Sequence, residues 1–469
     1  INKILHNYPR RSIMSFLEDR SKSDWQSLDS EHYLHPFTDH KDLGNKSRII
    51  AKADGVYVYD IEGNQILDGM SGLWCVNIGY GRSELSEAAA SQLNELPYYN
   101  SFFQCANPPS IELANKLDKI TQKQFNKVFY TGSGSESIDT MIRIVRRYWE
   151  VMGHPNKKTI IARKNAYHGS TIAGVSLGGM NAMHKQGGPL LPGIEHVDQP
   201  YWFESDRSHS PDDFGKKVAS QLEEKILEIG VDNIAAFVGE PIQGAGGVII
   251  PPDSYWPEIQ RICNHYGILM VTDEVICGFG RLGEWFGADH FQVKPDLMTF
   301  AKGVTSGYLP LGGVMVSEKV SSAIIDKGGE FAHGFTYSGH PASCAVAIEN
   351  IRILDEENLV SRTKNEIGPY LQNKWKSLED HPIVGETRMV GLMGAMELVP
   401  QKNSPQRFDD KSTAGMTFRN FAVNNGLVMR AVGDTIVTSP PLVISEEEVD
   451  ELVEKAWICL DHTQSEMTK

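Results

Sequence analysis

The sequence predicts an α/β fold in which a mainly parallel β-sheet carries helices on both faces and is joined to a smaller α+β domain. The first observation behind this prediction is an alternation of short apolar runs, glycine-rich turns and long helix-like segments between about residues 127 and 313. Strands that alternate with helices form a largely parallel sheet covered on both faces. The second is that the apolar runs are continuous, as expected of strands buried on both sides. The third is that the chain after Pro341 loses this alternation and mixes short strands with helices.

The composition of the chain is that of a folded globular protein with more than one core. Its 469 residues are too many for one small core, and 41% of them are apolar and 22% charged. The net charge of −15 argues against a nucleic-acid partner. No apolar run is long enough to cross a bilayer, which argues against a membrane partner.

The cysteines show no C-x-x-C pair, which argues against a zinc site or a disulfide framework. Their scatter favours a reducing compartment, and we expect the cytoplasm. The six are Cys75, Cys105, Cys263, Cys277, Cys344 and Cys459. The histidines, including His168 and His340, likewise show no metal-ligand spacing, so no metal is predicted.

The N-terminal part, residues 1–75, is predicted to contribute to the small domain. Its first forty residues are polar and predict irregular structure. Residues 55–60 then alternate like a half-buried strand, and Glu62-Gly63-Asn64 supplies a hairpin turn into a second strand at 65–68.

The large domain, residues 76–345, is predicted to hold the parallel sheet. Its helix-like segments are 135–151, 214–229 and 255–266. Its predicted strands are 128–130, 159–162, 235–239, 268–272, 297–300 and 313–316.

The C-terminal part, residues 346–469, is predicted to form the smaller domain. A helix follows Pro341, a polar loop lies around residues 401–410, and an amphipathic helix at 446–460 closes the chain. The strand-like segments are 394–399, 427–429 and 436–438.

The segment from Thr131 to Glu136 follows a predicted strand and opens a helix. Its small residues leave backbone N–H groups free to bind a phosphate at the helix N-terminus. The alternative is that Ser133 or Ser135 is an ordinary N-cap. The segment lacks the third glycine of a dinucleotide motif and the lysine of a P-loop, so it indicates neither.

Two neighbouring apolar runs each end in one ionisable residue, Asp273 and Lys302. Ligands bind beyond the carboxyl ends of strands in open α/β sheets. A magnesium-binding Asp of an ATPase would need G-x-x-x-x-G-K-[ST] upstream, which the chain lacks. Burial of Lys302 would favour its neutral, nucleophilic form. An acid and an amine at one edge suit pyridoxal phosphate, whose aldehyde binds a lysine and whose ring nitrogen pairs with an acid. Structural roles, a strand cap and an exposed lysine, are the alternatives.

A set of ordered motifs makes the chain resemble the class III pyridoxal-phosphate aminotransferases, specifically the ω-transaminases that use pyruvate as amino acceptor. The resemblance runs from about Leu34 to Leu460. The motifs are Leu73-Trp74-Cys75-Val76-Asn77, Ser133-Gly134-Ser135-Glu136, Tyr167-His168-Gly169-Ser170, Glu240-Pro241-Ile242-Gln243-Gly244, Asp273-Glu274-Val275, Gly278-Phe279-Gly280-Arg281, Ala301-Lys302-Gly303 and the run from Phe335 to Pro341.

The resemblance implies an aspartate-aminotransferase-like fold type I enzyme. It also implies a homodimer with shared active sites, and leaves open whether dimers pair into tetramers. Lys302 and Asp273 would be the catalytic residues, with Lys302 moving the substrate proton. The implied cofactor contacts are Lys302 at the aldehyde, Asp273 at the ring nitrogen, Val275 and Tyr167 on the ring faces, His168 and Glu240 around the ring, and Gly134, Ser135 and a second subunit's Thr336 at the phosphate.

On the substrate side, Arg430 suits the carboxylate of pyruvate, because its fork can bind both oxygens. Trp74, Phe102 and Tyr167 would form aromatic pocket walls. The predicted reaction moves an amino group from a putrescine-like diamine or an arylalkyl amine to pyruvate, giving alanine and an aldehyde or ketone. A class III enzyme that uses 2-oxoglutarate with β-alanine, 4-aminobutyrate or taurine, or an aminomutase, is the nearer alternative. A non-enzymatic domain that binds a phosphorylated ligand is the distant one.

Overall fold

The structure is a computed structural model that describes residues 20–205, 207–402, 406–409 and 412–468. Its strands are β1 Ile50–Asp54, β2 Tyr57–Asp60, β3 Gln65–Asp68, β4 Phe125–Thr131, β5 Thr159–Arg163, β6 Ile194–Val197, β7 Ile234–Gly239, β8 Leu269–Asp273, β9 Leu297–Phe300, β10 Gly312–Ser317, β11 Val384–Val390, β12 Met393–Leu398, β13 Leu427–Val428, β14 Arg430–Val432 and β15 Thr435–Thr438. Its helices are α1 Lys22–His32, α2 His40–Leu43, α3 Ser71–Trp74, α4 Ser83–Glu95, α5 Pro108–Ile120, α6 Gly134–Val151, α7 Ile172–Leu177, α8 Asn181–His184, α9 Pro211–Ile229, α10 Tyr255–Tyr266, α11 Gly287–His290, α12 Glu318–Gly328, α13 Pro341–Glu356, α14 Leu359–Arg362, α15 Gly368–Lys376, α16 Thr413–Asn424 and α17 Glu446–Met467.

The central sheet contains seven strands in the spatial order β4-β10-β9-β8-β7-β5-β6. Strands β5 to β9 pair in parallel, and β10 runs antiparallel to both β4 and β9. Every residue of β7, β8 and β9 is buried, which accounts for their continuous apolar runs. The carboxyl ends of β8 and β9 therefore lie side by side at one edge of the sheet.

Of the two further four-stranded sheets, one combines strands from both ends of the chain and the other uses C-terminal strands alone. One has the order β1-β2-β3-β13, in which β13 joins β3 in parallel. The other has the order β11-β12-β15-β14 and is antiparallel throughout. These sheets bring the N-terminal hairpin and the segment at 427–438 together.

The α/β prediction is confirmed, since the six strands and three helices predicted between residues 127 and 316 are all present within a few residues. Strand β6 was missed because Glu195 and His196 interrupt its apolar pattern at the sheet edge. Strand β11, which includes Glu386 and Arg388, was missed for the same reason. The closing helix continues past the predicted end to Met467.

The prediction of irregular structure in the first forty residues is wrong for residues 22–32, which form α1, whereas residues 33–39 lie outside any helix or strand as predicted. Helix α1 begins after Ser21, whose hydroxyl accepts a hydrogen bond from Asp24 N while the Asp24 carboxylate accepts one from Ser21 N. This capping box specifies a helix start even without an apolar face. Residues 1–19 and part of the predicted loop at 401–410 lie outside the described residues, and the domain boundaries at 75 and 345 stay predictions. No described helix is long and apolar enough to span a membrane.

Candidate active site

The edge of the central sheet brings Asp273 and Lys302 together. Asp273 is the last residue of β8 and stands opposite Thr299 of β9, while Lys302 follows two residues after β9 ends. Both residues line one cavity of about 690 Å³. The parallel register of two adjacent strands thus places an acid and an amine in the same space.

The Asp273 carboxylate is buried and held from several sides. Its Oδ2 accepts a hydrogen bond from Nδ1 of His168 at 2.7 Å. Its Oδ1 accepts from the Thr299 hydroxyl at 3.0 Å and from Val275 N at 3.2 Å. These three partners fix the orientation of the carboxylate at the cavity floor.

Lys302 occupies a conformation that side-chain-bearing residues rarely adopt. Its φ is +47°, in the left-handed region that costs an ordinary residue free energy. Burial lowers the pKa of its amine, and the charge of Asp273 partly opposes that shift by raising it. The result is an amine that loses its proton more readily than an exposed lysine does, and so is a better nucleophile and base.

The N-terminus of α6 forms a second wall of the cavity through Gly134 and Ser135. Ser133 is the N-cap, accepting a hydrogen bond from Glu136 N at 3.2 Å. Ser133 is therefore an ordinary N-cap, the alternative to a phosphate-binding role. Ser135 instead accepts a hydrogen bond from Ser170 N at 3.0 Å. A Cβ on Gly134 would lie 3.1 Å from both methyl groups of Val275, so only glycine leaves this approach open.

Glu240 anchors the loop that carries Tyr167. Its Oε1 accepts a hydrogen bond from Tyr167 N at 3.1 Å, and its Oε2 accepts one from Gly244 N at 2.9 Å. Burial raises the pKa of Glu240, and the nearby Asp273 raises it further, while His168 lowers it. Tyr167 and Val275 both line the cavity beside Asp273. The hydrogen bond from Tyr167 N therefore ties that loop to Glu240, and the one from Gly244 N holds the Glu240 carboxylate in place.

One aromatic ring of the cavity, that of Trp74, faces both Lys302 and Arg430. Lys302 Nζ lies 5.6 Å from the ring centroid of Trp74, and the guanidinium carbon of Arg430 lies 5.1 Å from the same centroid. Burial lowers the pKa of Arg430, which the neighbouring Tyr167 partly opposes. An arginine stays protonated despite such a shift. Among the described residues no carboxylate lies within 4.0 Å of its guanidinium, so the fork is available to a ligand.

Two of the predicted site residues do not reach this cavity in their own chain. Phe102 lines a separate cavity of about 240 Å³ together with His333 and Gly334. Thr336 is exposed, and its backbone carbonyl accepts a hydrogen bond from the Tyr98 hydroxyl at 2.8 Å. Phe102 does not line the cavity of Lys302 and Asp273 in its own chain, and its place as an aromatic wall of the substrate pocket stays a prediction.

Among the residues that sequence reasoning missed are two that line the cavity, Phe37 and Arg419, and one that holds Asp273, Thr299. Phe37 lies edge-on to Tyr167, with ring centroids 6.5 Å apart, and Arg419 reaches the cavity from α16. Neither stands in a recognisable motif. Thr299 could have been found, because side chains of a strand alternate and it pairs directly with Asp273.

Comparison with known proteins decides the family. The family of class III aminotransferases matches residues 40–460 of this chain. The chain belongs to the class III aminotransferases. Enzymes of this class depend on pyridoxal phosphate, which is accordingly the cofactor of this aminotransferase. The fold is that of fold type I.

Three similar proteins illustrate the likeness. A putrescine–pyruvate aminotransferase of Pseudomonas aeruginosa is 57% identical, over 94% of this chain and 96% of that protein. A mitochondrial gamma-aminobutyrate transaminase of Solanum lycopersicum is 43% identical, over 96% of this chain and 89% of that protein. The ω-transaminase of Pseudomonas jessenii, solved in complex with PMP, superposes with a TM-score of 0.92 at 40% identity, covering 94% and 98% of the two chains.

The residues of the cavity fit pyridoxal phosphate. The floor carries a buried carboxylate for a protonated ring nitrogen, and the amine of Lys302 lies in the same space. The glycine-lined start of α6 offers backbone N–H groups for a phosphate. Gly169 has a φ of +119°, and a Cβ there would lie 2.5 Å from the Ser135 hydroxyl. The loop therefore needs glycine to approach the start of α6.

Proposed function

We propose that this class III aminotransferase moves an amino group from a primary amine or diamine, such as a putrescine-like or arylalkyl amine, to pyruvate. The products are alanine and an aldehyde or ketone. The observation that carries the proposal is that Lys302 and Asp273 line one cavity from adjacent strands. The relative named putrescine–pyruvate aminotransferase, at 57% identity, supports the choice of donor and acceptor.

In this proposal each residue has a distinct task. When bound, pyridoxal phosphate would supply an aldehyde, whose oxygen is replaced by the nitrogen of the amino group, and a ring that withdraws electrons. Asp273, oriented by His168, would keep the ring nitrogen protonated. Lys302 would bind the aldehyde carbon of the cofactor. Once released from that carbon, its amine would take the proton from the substrate carbon and give the same proton back in the following step. Burial lowers the pKa of Lys302, which suits an amine that must both accept and give a proton.

The remaining residues would hold the cofactor in position and would take no part in the proton transfer. Gly134 and Ser135 would hold the phosphate, and Tyr167 and Val275 would contact the two ring faces. Glu240 would act through the loop of Tyr167. A ring held on both faces cannot tilt away from Lys302, so the proton transfer stays short.

Arg430 would bind the carboxylate of pyruvate. Its guanidinium faces the ring of Trp74 at 5.1 Å, and a bidentate pair with a carboxylate is both strong and oriented. A donor without a carboxylate would instead contact the aromatic surfaces of Trp74 and Tyr167. One pocket can thus take substrates of different polarity in turn.

A second candidate is transamination with 2-oxoglutarate and an ω-amino acid such as β-alanine, 4-aminobutyrate or taurine. The tomato relative named gamma-aminobutyrate transaminase, at 43% identity, favours it. The two candidates differ in the preferred acceptor. Comparison of kcat/KM for pyruvate and 2-oxoglutarate with one donor separates them.

We infer further that two copies of the chain share their active sites. Thr336 and Phe102 lie outside the cavity of their own chain, beside exposed aromatic residues. Tyr99, Phe103 and Tyr337 are 52%, 88% and 65% exposed. Large apolar side chains clustered at a surface are typical of an interface. In the proposed dimer Thr336 would reach the phosphate of the other copy, and Phe102 would join its substrate pocket.

The shared site can be tested by mixing two inactive variants. If Lys302→Ala and Thr336→Asp are both inactive alone, a mixed dimer contains one site with both native residues. Activity restored on co-expression supports sharing, and no restoration in a proven mixed dimer contradicts it.

We also propose a reducing compartment, the cytoplasm, since none of the six cysteines is paired. A disulfide between any two of them in protein isolated without reductant would contradict this.

The proposed reaction is tested by spectrum and by product. Added pyridoxal phosphate should give the visible absorbance of a lysine-bound cofactor, and putrescine with pyruvate should release alanine. Lys302→Ala should abolish both. Lys294→Ala, which removes an exposed lysine that precedes β9, is the matched control and should keep both. A blank spectrum from the wild-type enzyme would contradict the proposal.

A further inference from the structure

Asn350 is a buried polar residue in the middle of helix α13. Its side chain is fully buried, and its neighbours on the helix are apolar core residues, among them Val346, Ala347, Ile351 and Leu354. Asparagine is a poor helix former, and a buried amide costs free energy unless its hydrogen bonds are made. An apolar residue would therefore suit this position better if packing alone decided it.

The Asn350 side chain binds the turn that directly follows Lys302. Its Nδ2 donates to the carbonyl oxygens of Gly303 at 2.9 Å and of Val304 at 3.0 Å. Its Oδ1 accepts from the hydroxyl of Ser306 at 2.7 Å. Because carbonyl oxygens only accept, the amide nitrogen must face them, and these partners fix the orientation of the side chain. One side chain therefore holds three of the four residues that follow Lys302.

This turn begins and ends at a residue with a strained backbone. Lys302 has a φ of +47° and Ser306 a φ of +48°, both in the left-handed region that a residue with a side chain rarely adopts. Such a conformation persists only when its surroundings hold it. The turn is also closely packed, since a Cβ on Gly303 would lie 2.7 Å from Nδ2 of Asn77. Close packing and the hydrogen bonds from α13 therefore maintain the strained conformation together.

We propose that Asn350 is a positioning residue of the reaction, which holds the turn after Lys302 and thereby keeps the Lys302 amine in place in the cavity that it shares with Asp273. This inference rests on the proposed function, because it concerns the lysine that moves the proton in the same site. The backbone conformation of Lys302 sets the direction in which its side chain leaves the chain, so a relaxed turn would move the amine. Asn350 is not among the residues that line the cavity, so it acts through the backbone of the turn.

Two variants weaken this hold to different degrees. Asn350→Leu keeps the approximate volume and removes all three hydrogen bonds, so it should lower kcat for putrescine and pyruvate by about tenfold or more. The KM of both substrates should change by less than about twofold, because Arg430 and Trp74 are untouched. Ser306→Ala removes one of the three hydrogen bonds of Asn350 and should lower kcat by about threefold.

The pH dependence of cofactor capture separates positioning from a loss of stability alone. Burial lowers the pKa of the Lys302 amine, so an amine that a relaxed turn releases towards solvent should have a pKa nearer to its ordinary 10.5. In Asn350→Leu enzyme stripped of cofactor, the midpoint for the appearance of the lysine-bound spectrum should rise by about half a pH unit or more. The groups whose charge acts on this amine are unchanged in the variant, and they are Asp273, Cys75, Glu240 and Arg430.

The matched control is Ser321→Ala on α12. Like the hydroxyl of Ser306, that of Ser321 is buried and donates to the side-chain oxygen of an asparagine, Asn126, at 2.8 Å. The control should keep the wild-type kcat and the wild-type midpoint. If Asn350→Leu does not fold, Ser306→Ala takes its place, and equal values in Ser306→Ala and Ser321→Ala would overturn the inference.

An Asn350→Leu enzyme that is less stable but keeps the wild-type kcat and midpoint would show a purely structural asparagine and would also overturn the inference. Failure of the proposed function looks different, because cofactor capture requires neither amine donor nor acceptor. A wild-type enzyme that captures cofactor but releases no alanine would contradict the proposed reaction, while the midpoint measured in Asn350→Leu would still decide whether Asn350 positions Lys302.

Discussion

The Nδ1 atom of His168 lies 2.7 Å from the Oδ2 atom of Asp273, and both side chains are buried, at 2% and 4% exposure. A buried charge-assisted hydrogen bond of this length orients both groups strongly. Asp273 in turn receives the Thr299 hydroxyl on its other oxygen. The sheet register and one loop therefore aim a single carboxylate at the cavity.

Asp273→Asn should lower kcat by about a hundredfold or more, because an amide cannot maintain a positive charge on the ring nitrogen. Part of the cofactor should still bind, since Lys302 and the start of α6 are unchanged. Steady-state kinetics and the visible spectrum measure the two effects. Undiminished kcat would contradict the pairing role.

The variant His168→Ala separates the orientation of the Asp273 carboxylate from its charge. It keeps the carboxylate and removes one donor, so we expect a loss of about tenfold, smaller than that of Asp273→Asn. His265→Ala is the control, because His265 is exposed on α10. A loss as large as that of Asp273→Asn would assign His168 a direct part in the reaction.

Much of this floor was predictable from the sequence. Continuous apolar runs identify β8 and β9, and the rule that ligands bind beyond the carboxyl ends of strands brings Asp273 and Lys302 to one edge. The glycines before α6 likewise predicted a helix N-terminus. Local patterns succeed here because each of these residues stands at the end of a strand or at the start of a helix that the sequence itself identifies.

The positions of Arg419, Phe37 and Phe102 could not be predicted in the same way. Arg419 stands on the side of a helix whose packing is set by distant strands, and Phe37 lies before the first sheet. Phe102 packs beside Gly334, 232 positions further along the chain, where a Cβ would lie 2.9 Å from its ring. These placements follow from tertiary packing, for which a single sequence carries no periodic signal.

Arg430→Ala should raise the KM for pyruvate by about tenfold or more and change the KM for an uncharged amine little. Removing the fork leaves the carboxylate without its charged partner, while a donor that contacts Trp74 loses nothing polar. Arg430→Lys should recover only part of the affinity, since lysine cannot bind both oxygens. Equal effects on the two substrates would remove Arg430 as the carboxylate-binding residue.

The capture of cofactor by Lys302 should depend on pH with a midpoint below the ordinary value. Only the neutral amine attacks an aldehyde, so the rate rises as pH increases through the pKa. Burial lowers the pKa of Lys302 from its ordinary 10.5, and Asp273 opposes this. In enzyme stripped of cofactor, the rate of appearance of the lysine-bound spectrum should level off below pH 10.5. Asp273→Asn should move the midpoint lower still, because the charge that favours the protonated amine is gone. A midpoint at or above 10.5 would contradict the burial argument.

The position of Trp74 depends on the carboxylate of Asp68, which is buried and accepts three hydrogen bonds. They come from Met70 N at 2.9 Å, Gly72 N at 2.6 Å and the Tyr80 hydroxyl at 2.7 Å. The loop they hold is strained, since Trp74 itself has a φ of +57°. Asp68→Asn places an amide among three donors and should cost about 1–3 kcal/mol of unfolding free energy.

The same substitution should raise the KM for both amine and pyruvate, because Trp74 contacts the region where each would bind. The lysine-bound cofactor spectrum should stay unchanged, since Asp273 and the start of α6 do not depend on this loop. Tyr80→Phe removes only one of the three hydrogen bonds and should show a smaller change of the same kind. An Asp68→Asn enzyme that is less stable but has native KM values would mean that the ring of Trp74 keeps its place without the buried carboxylate, and that its packing against Arg430 and Lys302 is sufficient to hold it.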